Sequence, residues 1–243
     1  MAKGYKGRKR EARLRPTQFS VVYQDEDLIV INKPAGLLAV PIPKSKAKNV
    51  RDLLNDLLKP QRQRAIIVHR IDRYTSGLMV FAKHRKAHGI LVRQFLDHTP
   101  RRVYLTLVRG VPSPEKGELR HYLKLTTHGF RQVAVKDESE GGTLAVTRYQ
   151  IRKAYGDEAA LLEIELDTGL KNQIRVQLAE AGHPIVGDRH YVRAEKNARI
   201  DHQALHAWKL GFNHPADGKY VEFKADPPDD FRKVVAALRR ESS

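Results

Sequence analysis

Short apolar, β-rich runs that stop at turn residues recur along most of this chain, a spacing that suits antiparallel hairpins. Residues 20–23 and 28–32 flank the acidic turn Asp25-Glu26-Asp27, and Lys33-Pro34-Ala35-Gly36 then breaks the strand. Residues 66–68, 78–82, 103–108, 144–151, 160–166, 205–212 and 219–224 read as further strands. Within 160–166, Leu162, Ile164 and Leu166 alternate with Glu163 and Glu165, the period of a half-solvated antiparallel strand. Helical periodicity is rarer. Val50, Leu53, Leu54, Leu57 and Leu58 share one helical face, with Asn49 as cap and Pro60 as stop. Residues 85–96 read as a weaker helix, 172–181 as one ending at Gly182, and Phe231, Val234, Val235 and Leu238 as the face of a last helix capped by Asp229. Strands outnumber helices. The expectation is an α+β fold with a mixed, mainly antiparallel central sheet and flanking helices.

A length of 243 residues suits one domain or two at most. At 41% hydrophobic and 30% charged, the composition excludes a wholly disordered chain. No apolar run approaches the roughly 20 residues of a membrane-spanning helix. With no cysteine, disulfides, thiolate zinc sites, iron–sulfur clusters and a cysteine nucleophile are excluded. The basic N-terminus lacks the apolar stretch of a signal peptide, so a cytoplasmic location is expected. The net charge is +17, which points to a polyanionic partner, nucleic acid before others. Part of that charge forms a cationic arm, where Lys3, Lys6, Arg8, Lys9, Arg10, Arg13 and Arg15 face only Glu11. Pro41-Ile42-Pro43 with Lys44, Lys46 and Lys48 forms a basic loop.

Common machinery is missing. GxGxxG, GxxxxGK[ST] and GxSxG do not occur. His84/His88 and His202/His206 have the spacing of zinc pairs but lack HExxH context and an obvious third ligand, so no metal site is expected. What remains is the polar run from His69 to Gly77 between two apolar strands, the position where functional side chains concentrate. Asp72 sits there between Arg70 and Arg73. Nearby cations favour an ionised carboxylate, which can act as nucleophile or base. On these grounds alone, a plain turn with Asp72 capping backbone amides and Thr75-Ser76-Gly77 turning the chain is the favoured reading.

The segment His69-Arg70-Ile71-Asp72-Arg73-Tyr74-Thr75-Ser76-Gly77 resembles the His-Arg-Leu-Asp-x-x-Thr-Ser-Gly signature of the RluA-class pseudouridine synthases. Further segments are similar in the same order. They are Asn32-Lys33-Pro34-Ala35-Gly36, the strand carrying Tyr104, the run from Thr168 to Val176 with the run from Gly182 to Asp188, and Leu205-His206-Ala207. The resemblance implies a pseudouridine synthase domain over residues 19–243 and a flexible basic arm over 1–18. It implies Asp72 as catalytic aspartate, Arg70 as the side chain that displaces the target base, and Tyr104 as packing on the flipped uracil. Arg175 would pair with Asp72, Ile174 would form an apolar wall, and Arg73 and Lys33 would help bind substrate.

The reaction so implied turns uridine into pseudouridine in rRNA or tRNA, with no cofactor and with RNA as partner of a monomeric enzyme. An RNA-binding protein that keeps the fold without catalysis is the alternative; the presence of Asp72, Tyr104 and Arg175 together favours the enzyme. Several positions depart from the pattern. Leu170-Lys171-Asn172 stands where Arg-Thr-His is frequent, Gln177 replaces a common histidine, Tyr74 a frequent aspartate, and Leu38 to Pro43 lacks the usual His-Pro. These departures imply an altered RNA-facing rim. The roughly 18 residues before the domain are too few for the S4-type RNA-binding module that many relatives carry.

Overall fold

The computed structural model describes residues 19–42, 47–126, 131–192 and 199–242. The cationic arm and residues 43–46 of the basic loop lie outside them. Eleven strands of the described residues form one sheet: β1 (Ser20–Gln24), β2 (Leu28–Lys33), β3 (Ile66–Ile67), β4 (Ser76–Ala82), β5 (Arg101–Arg109), β6 (Lys116–Leu125), β7 (Gln132–Val135), β8 (Thr143–Tyr155), β9 (Ala159–Leu166), β10 (Leu205–Asn213) and β11 (Tyr220–Lys224). The order is β1-β2-β4-β10-β5-β9-β8-β6-β7, with β3 also on β4 and β11 also on β10. Pairing is antiparallel except between β4 and β10. Among the described residues four α-helices accompany the sheet: α1 (Val50–Leu58), α2 (Arg85–Leu96), α3 (Gln173–Glu180) and α4 (Asp229–Glu241). The expected α+β class holds, and none of these helices is long and apolar enough to cross a membrane.

The continuous apolar runs of β2 and β4 follow from burial on both faces. Ile29, Ile31, Met79 and Phe81 pack with Val50, Leu54 and Leu58 of α1. The alternate residues Leu28, Val30, Leu78, Val80 and Ala82 pack with Ala87 and Leu91 of α2. The largest cluster joins Leu107, Leu162 and Ile164 of the central strands to Ile174 and Leu178 of α3 and to Phe231, Val234 and Leu238 of α4.

Asn49 caps α1, its side chain accepting from the Asp52 amide at 3.1 Å. Three expectations need correction. Leu57, placed on the apolar face, is 48% exposed, because α1 buries a stripe only Val50, Leu54 and Leu58 wide. Asp229 is the first residue of α4 rather than its cap; Pro228 occupies the cap, and Asp229 and Asp230 put negative charge at the positive end of the helix. Asn172 is the left-handed residue ahead of α3, not part of its coil. The strands β6 and β7 were not expected, since β6 carries only Leu123 fully buried and is otherwise polar or wet.

Two neighbouring strands set the site. The parallel pairing aligns Ser76 with His206 and Gly77 with Ala207 at the start of β4. Gly77 has φ 114°, and a Cβ there would lie 2.3 Å from the Ala207 carbonyl oxygen, so only glycine allows this approach. Strand β10 then lies between β4 and β5, which brings the loop before β4 close to Tyr104 of β5.

Candidate active site

The loop between β3 and β4 is held at its base by His69. Its ring stacks on Phe95 with centroids 4.4 Å apart, and its Nε2 accepts from the Val80 amide at 3.1 Å. Burial, with the Arg102 charge added, pushes the His69 pKa down to about 3, so the ring is neutral and structural.

A second brace comes from Lys33. It is fully buried, and its Nζ donates to the carbonyls of Pro34, Leu37 and Arg73 at 2.9–3.0 Å. Burial lowers its pKa to about 7, against the pull of Asp72. Expected at the substrate, Lys33 instead ties two loops together from beneath, because all three ammonium protons are spent on backbone. Arg73 extends the same brace. Its Nε donates to the Gly36 carbonyl at 2.9 Å, and its exposed guanidinium lies 5.2 Å from the Tyr74 ring centroid.

Above this brace, Asp72 meets α3. Its Oδ2 accepts from Arg175 Nη1 at 3.0 Å and from Asn172 Nδ2 at 2.5 Å. Among the described residues no donor reaches its Oδ1. Arg175 is 5% exposed and grips Asp188 with two parallel bonds, Nε to Oδ2 at 2.6 Å and Nη2 to Oδ1 at 2.9 Å. Burial opposes the Arg175 charge, but Asp188 and then Asp72 outweigh it and raise its pKa. Burial likewise works against Asp188, yet Arg175 and the backbone amides of His190 and Tyr191 keep its pKa low. The pair is therefore a fixed ion pair that presents one remaining N–H edge to Asp72.

Asp72, Arg70, Tyr104, Ile174 and Arg175 line one cavity of about 210 Å³, with Leu166, Leu170 and Leu205. Burial raises the Tyr104 pKa and Asp72 adds to it, Arg102 opposing, so its hydroxyl stays protonated. Arg70 is exposed, with no ion pair among the described residues. The cavity continues into a cleft lined by Leu38 to Ile42, Arg131, Lys171, His190 and Tyr191, where Arg70 and Arg73 also appear. A cationic cleft opening on an apolar pocket with one carboxylate can take a polyanion and admit a flat, uncharged ring.

The expected site residues other than Lys33 and Arg73 thus line this pocket, and Arg73 stands in the cleft. Sequence reading missed Asp188, Asn172 and Tyr191, whose ring lies 5.2 Å from the Arg175 guanidinium. Asp188 had a signal, since it closes the motif run from Gly182. Gln177 corrects the expected rim. It is fully buried, accepting from Thr147 Oγ1 at 2.6 Å and donating to the Leu119 and Ala145 carbonyls, so it fastens α3 to the sheet.

The histidine pairs are engaged separately. His84 bonds Asp27, His88 donates to the Ile67 carbonyl, His202 bonds Asp230 and His206 donates to the Ala225 carbonyl. Asp25, Asp27 and His214 bring potential ligand atoms within 4.8 Å of one another, but Asp25 is already bonded to His214 and Tyr23, and none of the three lines the cavity.

A family profile described as RNA pseudouridylate synthase matches residues 27–180. The ribosomal large subunit pseudouridine synthase D of Neisseria meningitidis serogroup A is 36% identical over 242 residues, covering 93% of this chain and 63% of its own. The chain thus spans less than two thirds of that relative's length. The dual-specificity RNA pseudouridine synthase RluA of Escherichia coli O157:H7 is 36% identical over 211 residues, covering 87% of this chain and 93% of its own. The solved human RNA pseudouridylate synthase domain containing 4 superposes with a TM-score of 0.73 at 25% identity, covering 90% of this chain and 93% of the other.

Proposed function

The chain belongs to the RNA pseudouridylate synthase family, and from that premise we propose that it isomerises uridine to pseudouridine in rRNA or tRNA, with Asp72 as the catalytic carboxylate. The observation that carries this reading is the Asp72 carboxylate itself, clamped through Oδ2 by Arg175 and Asn172 beside a pocket walled by Tyr104 and Ile174. In the reaction the N1–C1′ bond breaks, the base turns, and C5 bonds to C1′. The C5 hydrogen leaves as a proton and N1 gains one, so atoms and electrons balance without redox. Asp72 acts at C1′, at C6 or on a ribose proton, and each of these needs the carboxylate ionised.

A uridine stacked in folded RNA must first leave the stack, at a cost of a few kcal/mol. Arg70, exposed at the pocket mouth, is suited to fill the gap with its planar guanidinium. The Tyr104 ring offers the flipped base a stacking face worth about 1–3 kcal/mol. The name of the Neisseria relative recommends ribosomal RNA as a substrate to try, and transfer RNA is the other expected class.

The test is release of tritium from RNA labelled at uracil C5. Wild-type protein is expected to release label from a member of a panel of unmodified ribosomal and transfer RNAs. Asp72→Asn is expected to release none while RNA affinity changes little, because phosphate contacts supply most of that affinity. Substantial turnover by Asp72→Asn would overturn the assignment.

A further inference from the structure

We propose that Asn172 is a positioning residue for Asp72, holding the carboxylate so that Oδ1 faces the substrate. The proposal rests on Asp72 being the catalytic group. It starts from how the chain enters α3. Asn172 stands at the cap position with φ 54° and ψ 16°, a left-handed conformation that asparagine tolerates better than most residues. A cap side chain ordinarily accepts from the first turn of its helix. The Asn172 side chain makes no such bond. Gln173, the first residue of α3, braces the turn ahead of the helix instead, its Oε1 accepting from the Leu170 amide and from Thr168 Oγ1, both at 2.9 Å. The Asn172 amide points away from its own helix and donates to a carboxylate 100 positions earlier in the chain.

Arg175 follows three residues later, on the same face of the helix start. Both side chains converge on one oxygen, Asp72 Oδ2. A single bond from Arg175 leaves the carboxylate free to rotate about it; a second donor from another direction fixes its plane. Because Arg175 is already committed to Asp188, Asn172 is the adjustable half of this clamp. An amide also carries no charge and does not titrate, so it orients Asp72 without adding a proton site.

Backbone and side-chain roles are separable. Asn172→Gly keeps the left-handed backbone but removes the amide; Asn172→Ala removes the amide and strains the backbone. Both are expected to lower kcat by about 10- to 100-fold with KM nearly unchanged, as misplacement of a reacting group does. Asn172→Asp sets a second carboxylate against Asp72, and like charges disfavour joint ionisation. Around Asp72 stand Arg175, Lys33, Tyr104, His190 and Tyr191 from other elements, and Arg70 and Arg73 from its own loop. All of these are also present in the wild type, so a difference between the two profiles belongs to the new carboxylate. The acid limb of kcat is expected to move to higher pH by about one unit or more.

Tritium release under saturating RNA reads all three variants. If Asn172→Gly retains wild-type kcat, asparagine serves only the backbone turn and the proposal fails. An unshifted acid limb in Asn172→Asp overturns it as well. A fully active Asp72→Asn would instead refute the catalytic assignment on which it rests, so the two failures are distinct.

Discussion

Arg175 holds one guanidinium between two carboxylates, Asp188 and Asp72, at 5% exposure. Its planar fork serves both at once, which a lysine point charge cannot do. Arg175→Lys is therefore expected to keep the fold but lower kcat about 100-fold, with RNA affinity unchanged in a filter-binding titration. Asp188 is buried with a side-chain exposure of 1%. Asp188→Ala leaves the guanidinium with its buried partner gone, and a loss of about 3–5 kcal/mol is expected in urea unfolding. Little of this was legible beforehand. The Asp72–Arg175 pair rested on resemblance, because a helical arginine with no visible partner reads as solvent-facing. Asp188, 13 residues further on, becomes its partner only when the chain after α3 turns back.

At the scale of elements, the β4–β10 junction stands on Gly77 and on the buried pair Ser76–His206. His206 Nε2 donates to the Ala225 carbonyl, so its Nδ1 accepts the Ser76 hydroxyl, both at 2.8 Å. Gly77→Ala is expected to cost at least ~2 kcal/mol by urea midpoint. Gly89→Ala in the open middle of α2 is the control and is expected to gain about 0.5–1 kcal/mol. Burial pushes the His206 pKa down to about 4 from 6.5. In that window the unfolded chain binds the extra proton, so stability is full above pH 6.5 and is lost as pH falls through 4, by about 3 kcal/mol. His206→Asn is expected to flatten this part of the pH–stability curve relative to wild type; parallel curves would refute it. The strands β2, β4 and β9 were legible because burial on both faces, or on one, leaves a clear hydrophobic period. The strand β6 was not, because Glu118, Arg120 and Lys124 interrupt it and its stability comes from pairing with β8 and β7. The cap of α1 was readable from Asn49; that of α3 was not, since Asn172 takes its conformation from the turn rather than from a capping bond.

Across the whole molecule, the +17 charge favours association with RNA, and counterion release makes that association salt-dependent. Removing residues 1–15 deletes seven cations and one anion. Weaker RNA binding with a shallower salt slope is expected, smaller by about 0.7 for each single-strand phosphate no longer neutralised, while the saturated rate persists. An unchanged slope would show that the arm does not touch RNA. The placement of β10 bears on how the protein comes into being. The strand that fits between β4 and β5 begins at Leu205, so both wait for it while more than 90 further residues after β5 are made. A nascent chain halted before that point leaves two hydrogen-bonding edges open, the kind of surface that invites pairing between chains. The insertion of β10 is thus a closing step, and the pocket exists only after it.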